Sequence, residues 1–409
     1  MSLIEAGFTI LRRVVTDVFT SPFSLSIYLV LLCIIAWQYH RISHQSGDLS
    51  RSSWAASFKA ALVSTIFGVA GGLIGSIVLL WAGVDLSRIA IIPLWIAALL
   101  LMIISPRLLC FAYAGGVIGL LNLATGYPNL SIPDLMALVA ILHMIESLLI
   151  FLDGRFFPVP IYVKRGSRLC GGFHLQKFWP VFLVVAVPGM AVINAQPGEW
   201  QAVLGSSLAG AGMVCVLAVL GYGEVSTAFF PASKARRSAL RLFGFSAALL
   251  MLSILAAQGT FYAYSAVLFS PLGHEFIIWL GLREERKHFP AFVRPHRGVM
   301  VLGADPGSPA AVCGLQAGDI ITRIGDHEVN NDIELQAQLK DHPGRIDMDG
   351  LRQGRPAAWK IEPDSSLRRG IIPVPDHNQH RHVVIPDQSL FNIVEYLLTS
   401  ARNLIKRCR

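Results

Sequence analysis

The chain has 409 residues, 54% hydrophobic and only 15% charged, with a mean hydropathy of +0.56 and a formal net charge of +8. Such a balance excludes a single water-soluble globular domain and fits a multi-span membrane protein. The charge is also uneven: residues 60–152 hold a handful of acidic or basic side chains, whereas 283–409 are rich in them and carry seven of the twelve histidines. Two architectures are therefore predicted, a membrane domain over 1–282 and, beyond a linker at 283–297, a soluble region.

In chain order, Arg12 and Arg13 precede an apolar run too long for a signal-peptide core and lacking a small-residue cleavage site, so it is expected to remain as a span. Runs long enough to cross about 30 Å of hydrocarbon lie near 20–39, 60–83, 89–104, 107–125, 132–152, 178–195, 203–221, 240–258 and 261–282. That predicts eight or nine spans. Within them Gly68 and Gly72, Gly71 and Gly75, and Gly115 and Gly119 are each four apart, a spacing that lets helices approach closely or self-associate. The six cysteines are scattered singly and give no disulfide or zinc framework.

Orientation follows the basic loops. Arg155, Lys164, Arg165, Arg168 and Lys177 place one loop inside, and Lys234, Arg236 and Arg237 agree, whereas "GYPNLSIP" and "NAQPGEWQA" have no Lys or Arg. A cytoplasmic C-terminal domain is expected, provided that 261–282 crosses or one earlier segment is re-entrant. Because the basic residues gather at these loops, the positive charge does not point to nucleic acid.

One polar pair stands inside a span: "HMIE" puts His143 and Glu146 one helical turn apart. Such a pair is either half of a functional site or a structural contact satisfied by a neighbouring helix. A site-2-type metalloprotease would need H-E-x-x-H, but "HEFII" has Ile278 where the second histidine must stand after His274 and Glu275. "FLDG" at 151–154 resembles that family's Asp motif but precedes the His-Glu pair. Arg107 reads as an interfacial end residue. No paired broken helices of a transporter are legible. No catalytic residue, cofactor or metal site is predicted; the three tail histidines His377, His380 and His382 read as a solvated linker.

The soluble region opens with "GVMVLGADPGSPAAVCGLQAGDIITRIG", residues 298–325. Ser308 can cap a short helix with Pro309 at its first position, Gly314 can end it in a left-handed conformation, and "IITRIG" supplies a strand. Asn331 with Glu334 three residues on predicts a capped second helix, and Gln353-Gly354 a hairpin.

This pattern, GSPAxxxGLxxGDxI with a helix and an R-x-G hairpin after it, resembles a bacterial PDZ domain, here over about 298–375. The resemblance implies peptide capture by strand addition, with Gly298, Val299 and Val301 on the strand and Ile333, Gln336 and Lys340 on the helix. The G-Φ-G-Φ strand that should donate the hydrogen bonds is not evident between Arg283 and Gly298. The fold class expected is thus a polytopic α-helical membrane bundle followed by a small β-rich (α+β) PDZ domain and a C-terminal amphipathic helix.

That helix lies at 388–406 in the tail 376–409, with Leu390, Ile393, Val394, Leu397, Ala401 and Leu404 on one face. It reads either as a docking helix for a coiled-coil partner or the inner leaflet, or as a helix packed on the PDZ sheet. Together, "PRLLCFAYAGG", "LMALVAILHMIESLLI", "PIYVK", "GGFHLQKFWP", "SPLGHE" and "GIIPVPD" resemble the polytopic, PDZ-ended MinJ family of Gram-positive cell-division proteins. The resemblance implies a non-enzymatic scaffold enriched at septum and poles. It would bridge a DivIVA-like polar coiled-coil protein and a MinD-like division-inhibitor ATPase. The other reading of the chain is a site-2-type protease with a divergent site.

Overall fold

The computed structural model describes residues 12, 22–45, 53–166, 168–187, 212–341, 345–361, 370–376 and 383–384. Helices α1 (Pro22–Gln45), α2 (Trp54–Trp81), α3 (Ile91–Ile104), α4 (Phe111–Thr125) and α5 (Ile132–Asp153) come first. Strands β1 (Val159–Arg165), β2 (Arg168–Val187) and β3 (Gly212–Ser226) follow, then α6 (Pro231–Ala256) and α7 (Thr260–Lys287). α1, α2, α5, α6 and α7 are long and apolar enough to cross a membrane. α7 continues through the first five residues of the expected linker.

α3 and α4, of 14 and 15 residues, reach only about 21–22 Å each, short of the hydrocarbon thickness. Between them the α-helix is interrupted by extended Ser105 and Cys110 flanking a single 3-10 turn at Pro106–Leu108, and the two form one broken pair that enters the bundle and returns. Ser131 N–H donates to Arg88 O, and Tyr264 Oη to Leu123 O, so both outer ends of the pair lie near the starts of α5 and α7. A broken pair is a departure from the sequence expectation. Its irregular backbone is satisfied locally, Leu108 N–H donating to Ser105 O at 2.9 Å and Leu109 N–H to Pro106 O at 3.2 Å.

The apolar runs near 178–195 and 203–221, expected as helical spans, are strands wherever the residues are described. β2 pairs antiparallel with β3 from Phe173↔Ser226 to Val187↔Gly212. A continuous apolar run has no period to separate helix from strand, and Phe178–Val187 is rich in β-branched and aromatic residues with Pro180 inside it, which disfavours a helix. An unpaired strand edge is costly away from water, and β1 covers that edge of β2 only as far as His174. Beyond it, Phe178 N–H donates to Tyr39 Oη at 3.1 Å and Val184 N–H to Ser76 Oγ at 2.8 Å. Pro180, between them, has no N–H to satisfy.

Gly68 and Gly72 make this contact possible. A Cβ at either would lie 2.3 Å from the carbonyl oxygen of Pro180 or Phe182. Their spacing was expected to serve helix–helix packing, but their partner is a strand. Gly71 and Gly75 do face a helix, against Ile145 and Leu149 of α5.

Lys177, expected in a basic loop, is instead buried in β2, where its Nζ lies 3.1 Å from Asp153 Oδ1. Asp153 also accepts from Trp179 Nε1 at 2.7 Å and from Ser64 Oγ at 3.3 Å. The "FLDG" carboxylate is therefore committed to holding α5, α2 and β2 together. Lys234 is likewise buried, beside Glu285 and Glu224.

The soluble region comprises β4 (Val299–Ala304), α8 (Pro309–Val312), β5 (Ile320–Ile324), β6 (His327–Glu328), α9 (Asp332–Asp341), β7 (Ile346–Arg352), β8 (Arg355–Ile361) and β9 (Ile371–Pro373). The sheet order is β8-β7-β5-β4-β9, with β6 on β5. A last strand, β10 (Val383–Val384), returns to the membrane-side sheet and pairs parallel with β1.

Candidate functional site

Local chemistry builds the soluble module. Ser308 Oγ accepts from Ala311 N–H, Gly314 has φ +82°, and Gln353-Gly354 closes the β7–β8 hairpin with φ of +50° and +78°, the type I′ signature. At α9, Asn331 Oδ1 accepts from Glu334 N–H while Glu334 Oε2 accepts from Asn330 N–H, a reciprocal cap. Asp319, 2% exposed, receives both Arg352 Nε and Nη2 at 2.8 and 2.6 Å, which fixes the turn before β5. A core of Val299, Val301, Ile321, Leu335, Met348 and Trp359 lies within.

The expected peptide-pairing strand is β4, and both of its sides are occupied. Val299 and Met300 pair with Ile321 and Ile320 of β5 on one side. On the other, β9 covers Val301 to Ala304, with Val374 N–H donating to Met300 O and Asp305 N–H to Gly370 O, each at 2.8 Å. Strand addition at Gly298, Val299 and Val301 is thus not open in this arrangement, because the chain's own "GIIPVPD" fills the place where an added strand would lie. β9, at the end of the module, lies on that side of β4 in place of the strand not evident upstream. Gly298, at φ +84°, donates its N–H to Asn330 Oδ1, and Val301 is fully buried.

On α9, Ile333 is 80% exposed, an apolar side chain available at the first turn, and Gln336 is half-buried with its amide on Asp332. Burial raises the Asp332 carboxyl above its ordinary value; the Gln336 hydrogen bond opposes this and the charge of Asp376 adds to it. Asp376 itself is held by Arg294 at 2.6 Å, closing the recess between the start of β4 and the end of β9. The side chain of Lys340 and the whole of 388–406, with Leu390, Ile393, Val394, Leu397, Ala401 and Leu404, lie outside the described residues, as do His377, His380 and His382.

The module is not carried on a free linker. Gly171 N–H donates to Phe292 O, Ala291 N–H to Thr227 O, and Tyr162 Oη to Pro373 O. Phe292 is fully buried against Phe173 and Phe230, and Leu302, Ile372 and Val374 join the same apolar core as α5 and α6. A Cβ on Gly171 would lie 2.8 Å from Leu302. The module therefore docks directly on the end of the β1–β2–β3 sheet.

In the bundle, His143 and Glu146 both lie on α5, one helical turn apart. His143 is buried beside Cys110 and His274, and these three are the group among the described residues able to hold a metal ion. Glu275 is bound by Arg107 and by Tyr113 Oη. Arg107, expected at the interface, is thus drawn into the break between α3 and α4. The sequence hints were single ligand-type side chains in three separate apolar runs, which only tertiary structure unites.

Long apolar helices followed by this strand-rich module define a membrane-type chain carrying a protein-interaction domain. The PDZ domain family model matches residues 300–349. The chain is similar to two Do-like serine proteases HtrA, from Lactococcus lactis subsp. cremoris (strain MG1363) and subsp. lactis (strain IL1403). Each is 47% identical over 45 residues, 11% of this chain and 11% of the relative. The chain thus matches about one ninth of these relatives' length, and the likeness covers the PDZ region, not an enzymatic domain.

The closure of β4 by β9 yields a direct expectation. Ending the chain at residue 369 should raise hydrogen exchange at Asp305, whose amide partner is Gly370 O, by at least tenfold, and should open β4 to an added peptide strand. Mass-resolved exchange on the full and shortened chains measures it.

Proposed function

We infer that this chain is a non-enzymatic integral membrane scaffold of bacterial division-site selection, bridging a DivIVA-like polar coiled-coil protein and a MinD-like ATPase through its soluble regions. One observation carries the scaffold reading: the PDZ domain shares a core with the membrane body through Phe292, Leu302, Ile372 and Val374, so a partner held there is held at a fixed place on the bilayer. The division role rests on the resemblance of the membrane motifs to the MinJ family. The PDZ domain sits at the end of the bundle that carries Lys164, Arg165 and Arg168 on β1 and β2 and Arg236 and Arg237 on α6, which supports a cytoplasmic position.

Support against the site-2-type alternative comes from the two carboxylates it would need. Glu275 is engaged by Arg107 and Tyr113, and Asp153 by Lys177 and Trp179. A fluorescent fusion imaged in dividing Gram-positive cells tests the reading. Septal and polar fluorescence, with misplaced septa once 298–409 is removed, is the expected result; uniform membrane fluorescence with normal septa overturns it.

A further inference from the structure

The break between α3 and α4 places Cys110 near the middle of the bundle, on the first backbone position before α4, where Ala112 N–H donates to its sulfur at 3.4 Å. Two histidines from different helices meet it there. Cys110 Sγ lies 3.1 Å from His143 Nε2 of α5 and 3.9 Å from His274 Nε2 of α7, and the three ligand atoms are all within 4.8 Å of one another. In a tetrahedral zinc site, bonds of about 2.3 Å to sulfur and about 2.05 Å to nitrogen set ligand atoms about 3.4–3.6 Å apart. The two sulfur–nitrogen separations bracket that range.

The outer nitrogens fix which ring atoms face inward. His143 Nδ1 is 2.7 Å from Val139 O; a carbonyl only accepts, so Nδ1 carries the proton and Nε2 offers its lone pair to Cys110. His274 Nδ1 is 3.3 Å from Tyr113 Oη, and that hydroxyl gives its own proton to Glu275 Oε2 at 2.8 Å. The Tyr113 oxygen then accepts from His274 Nδ1–H, and the second Nε2 also presents a lone pair. An outer partner on Nδ1 with Nε2 free is the arrangement in which imidazole binds metals. Two nitrogen lone pairs thus converge on one thiol, whose single hydrogen can serve one of them. A cation serves both nitrogens and the sulfur at once.

We propose that Cys110, His143 and His274 bind a divalent ion of the zinc class, tying the broken pair to α5 and α7. The ligand set, one thiolate and two imidazoles, matches the borderline-soft character of zinc and not that of magnesium or calcium. The N-terminus of α4 favours the negative sulfur of the bound form. Glu275, committed to Arg107 and Tyr113, is not a ligand, which leaves a fourth coordination position for water or a small anion.

The full chain, purified in detergent, stripped with a chelator and titrated with Co²⁺, tests this. One equivalent of Co²⁺ per chain, a thiolate-to-cobalt charge-transfer band in the near ultraviolet and displacement of both by Zn²⁺ are expected. Cys110→Ser should abolish the band, and His143→Asn or His274→Asn should weaken binding at least tenfold. Because these variants can fail to fold, X-ray absorption at the zinc edge of the unaltered chain gives a second reading: one sulfur and two imidazole neighbours are expected. A folded chain that takes up no equivalent of zinc overturns the proposal, since the cluster is then held by thiol–imidazole hydrogen bonds alone. So does a nitrogen-only spectrum, which places the ion on other histidines such as those at 377, 380 and 382.

Discussion

Gly72→Ala should destabilise the membrane body by about 3 kcal/mol or more, whereas Gly244→Ala in α6 should be neutral or slightly stabilising. Both glycines are helical, and replacing glycine by alanine within a helix ordinarily helps by up to about 1 kcal/mol. At Gly244 nothing lies within 4 Å of the added Cβ. At Gly72 the added carbon would meet Phe182 O at 2.3 Å and Phe182 N at 2.8 Å. These are backbone atoms, so no rotamer change relieves the clash, and overpacking of this kind ordinarily costs about 1–3 kcal/mol even where side chains can yield. Moving α2 outward would also pull Ser76 Oγ from Val184 N–H, leaving a strand amide without its partner. Thermal unfolding of the two variants in detergent, followed by monodisperse recovery, measures the contrast. Equal stability would mean that α2 does not rest on β2.

The second large effect is at Asp153. Asp153→Asn keeps an acceptor for Trp179 Nε1 but removes the charge opposite Lys177, which is 1% exposed. Breaking a buried ion pair from one side costs about 3–5 kcal/mol, because the remaining charge is left unpaired away from water. Adding Lys177→Met to Asp153→Asn should restore most of that loss, since the double replacement removes both charges together. A double-mutant cycle on the unfolding midpoints reports the coupling; additive losses would show that the two side chains do not meet. The Phe157 ring, 5.2 Å from Lys177 Nζ, does not replace the carboxylate, as a cation–π contact contributes on the order of 2 kcal/mol when desolvated, less than the loss of the paired charge.

Legibility in the sequence followed the range of the interaction. The PDZ module was readable because its signals are local: Ser308 before Pro309, Gly314 after α8, Asn331 with Glu334, and Gln353-Gly354 each act over two to four residues. The membrane class was readable from composition. The β2–β3 hairpin was not, because a run such as Phe178–Val187 is apolar on both faces and carries no alternation; Pro180 was the one residue that argued against a helix. Gly68 and Gly72 announced a close approach but not what approaches. Least legible was the meeting of Cys110, His143 and His274, which are 33 and 164 residues apart in the pairs that touch. Closure of β4 by β9 was half visible: the absent strand upstream was evident, whereas its replacement from Ile371–Pro373 required the fold.

β2 has a mechanical consequence. Its 20 residues, Arg168–Val187, run about 60 Å and include both the PDZ-contacting Gly171 and the segment wedged between α2 and β3, without a turn or a loop on the way. A strand paired along its length is stiff, so it acts as a spar from the docking face to the helices of the bundle. Anything attached to the PDZ domain then loses its rotational freedom about the membrane normal relative to the bundle. Two such attachments on neighbouring copies would be held at set headings, so that contacts between bound partners depend on how the copies turn in the plane of the membrane as well as on how densely they gather.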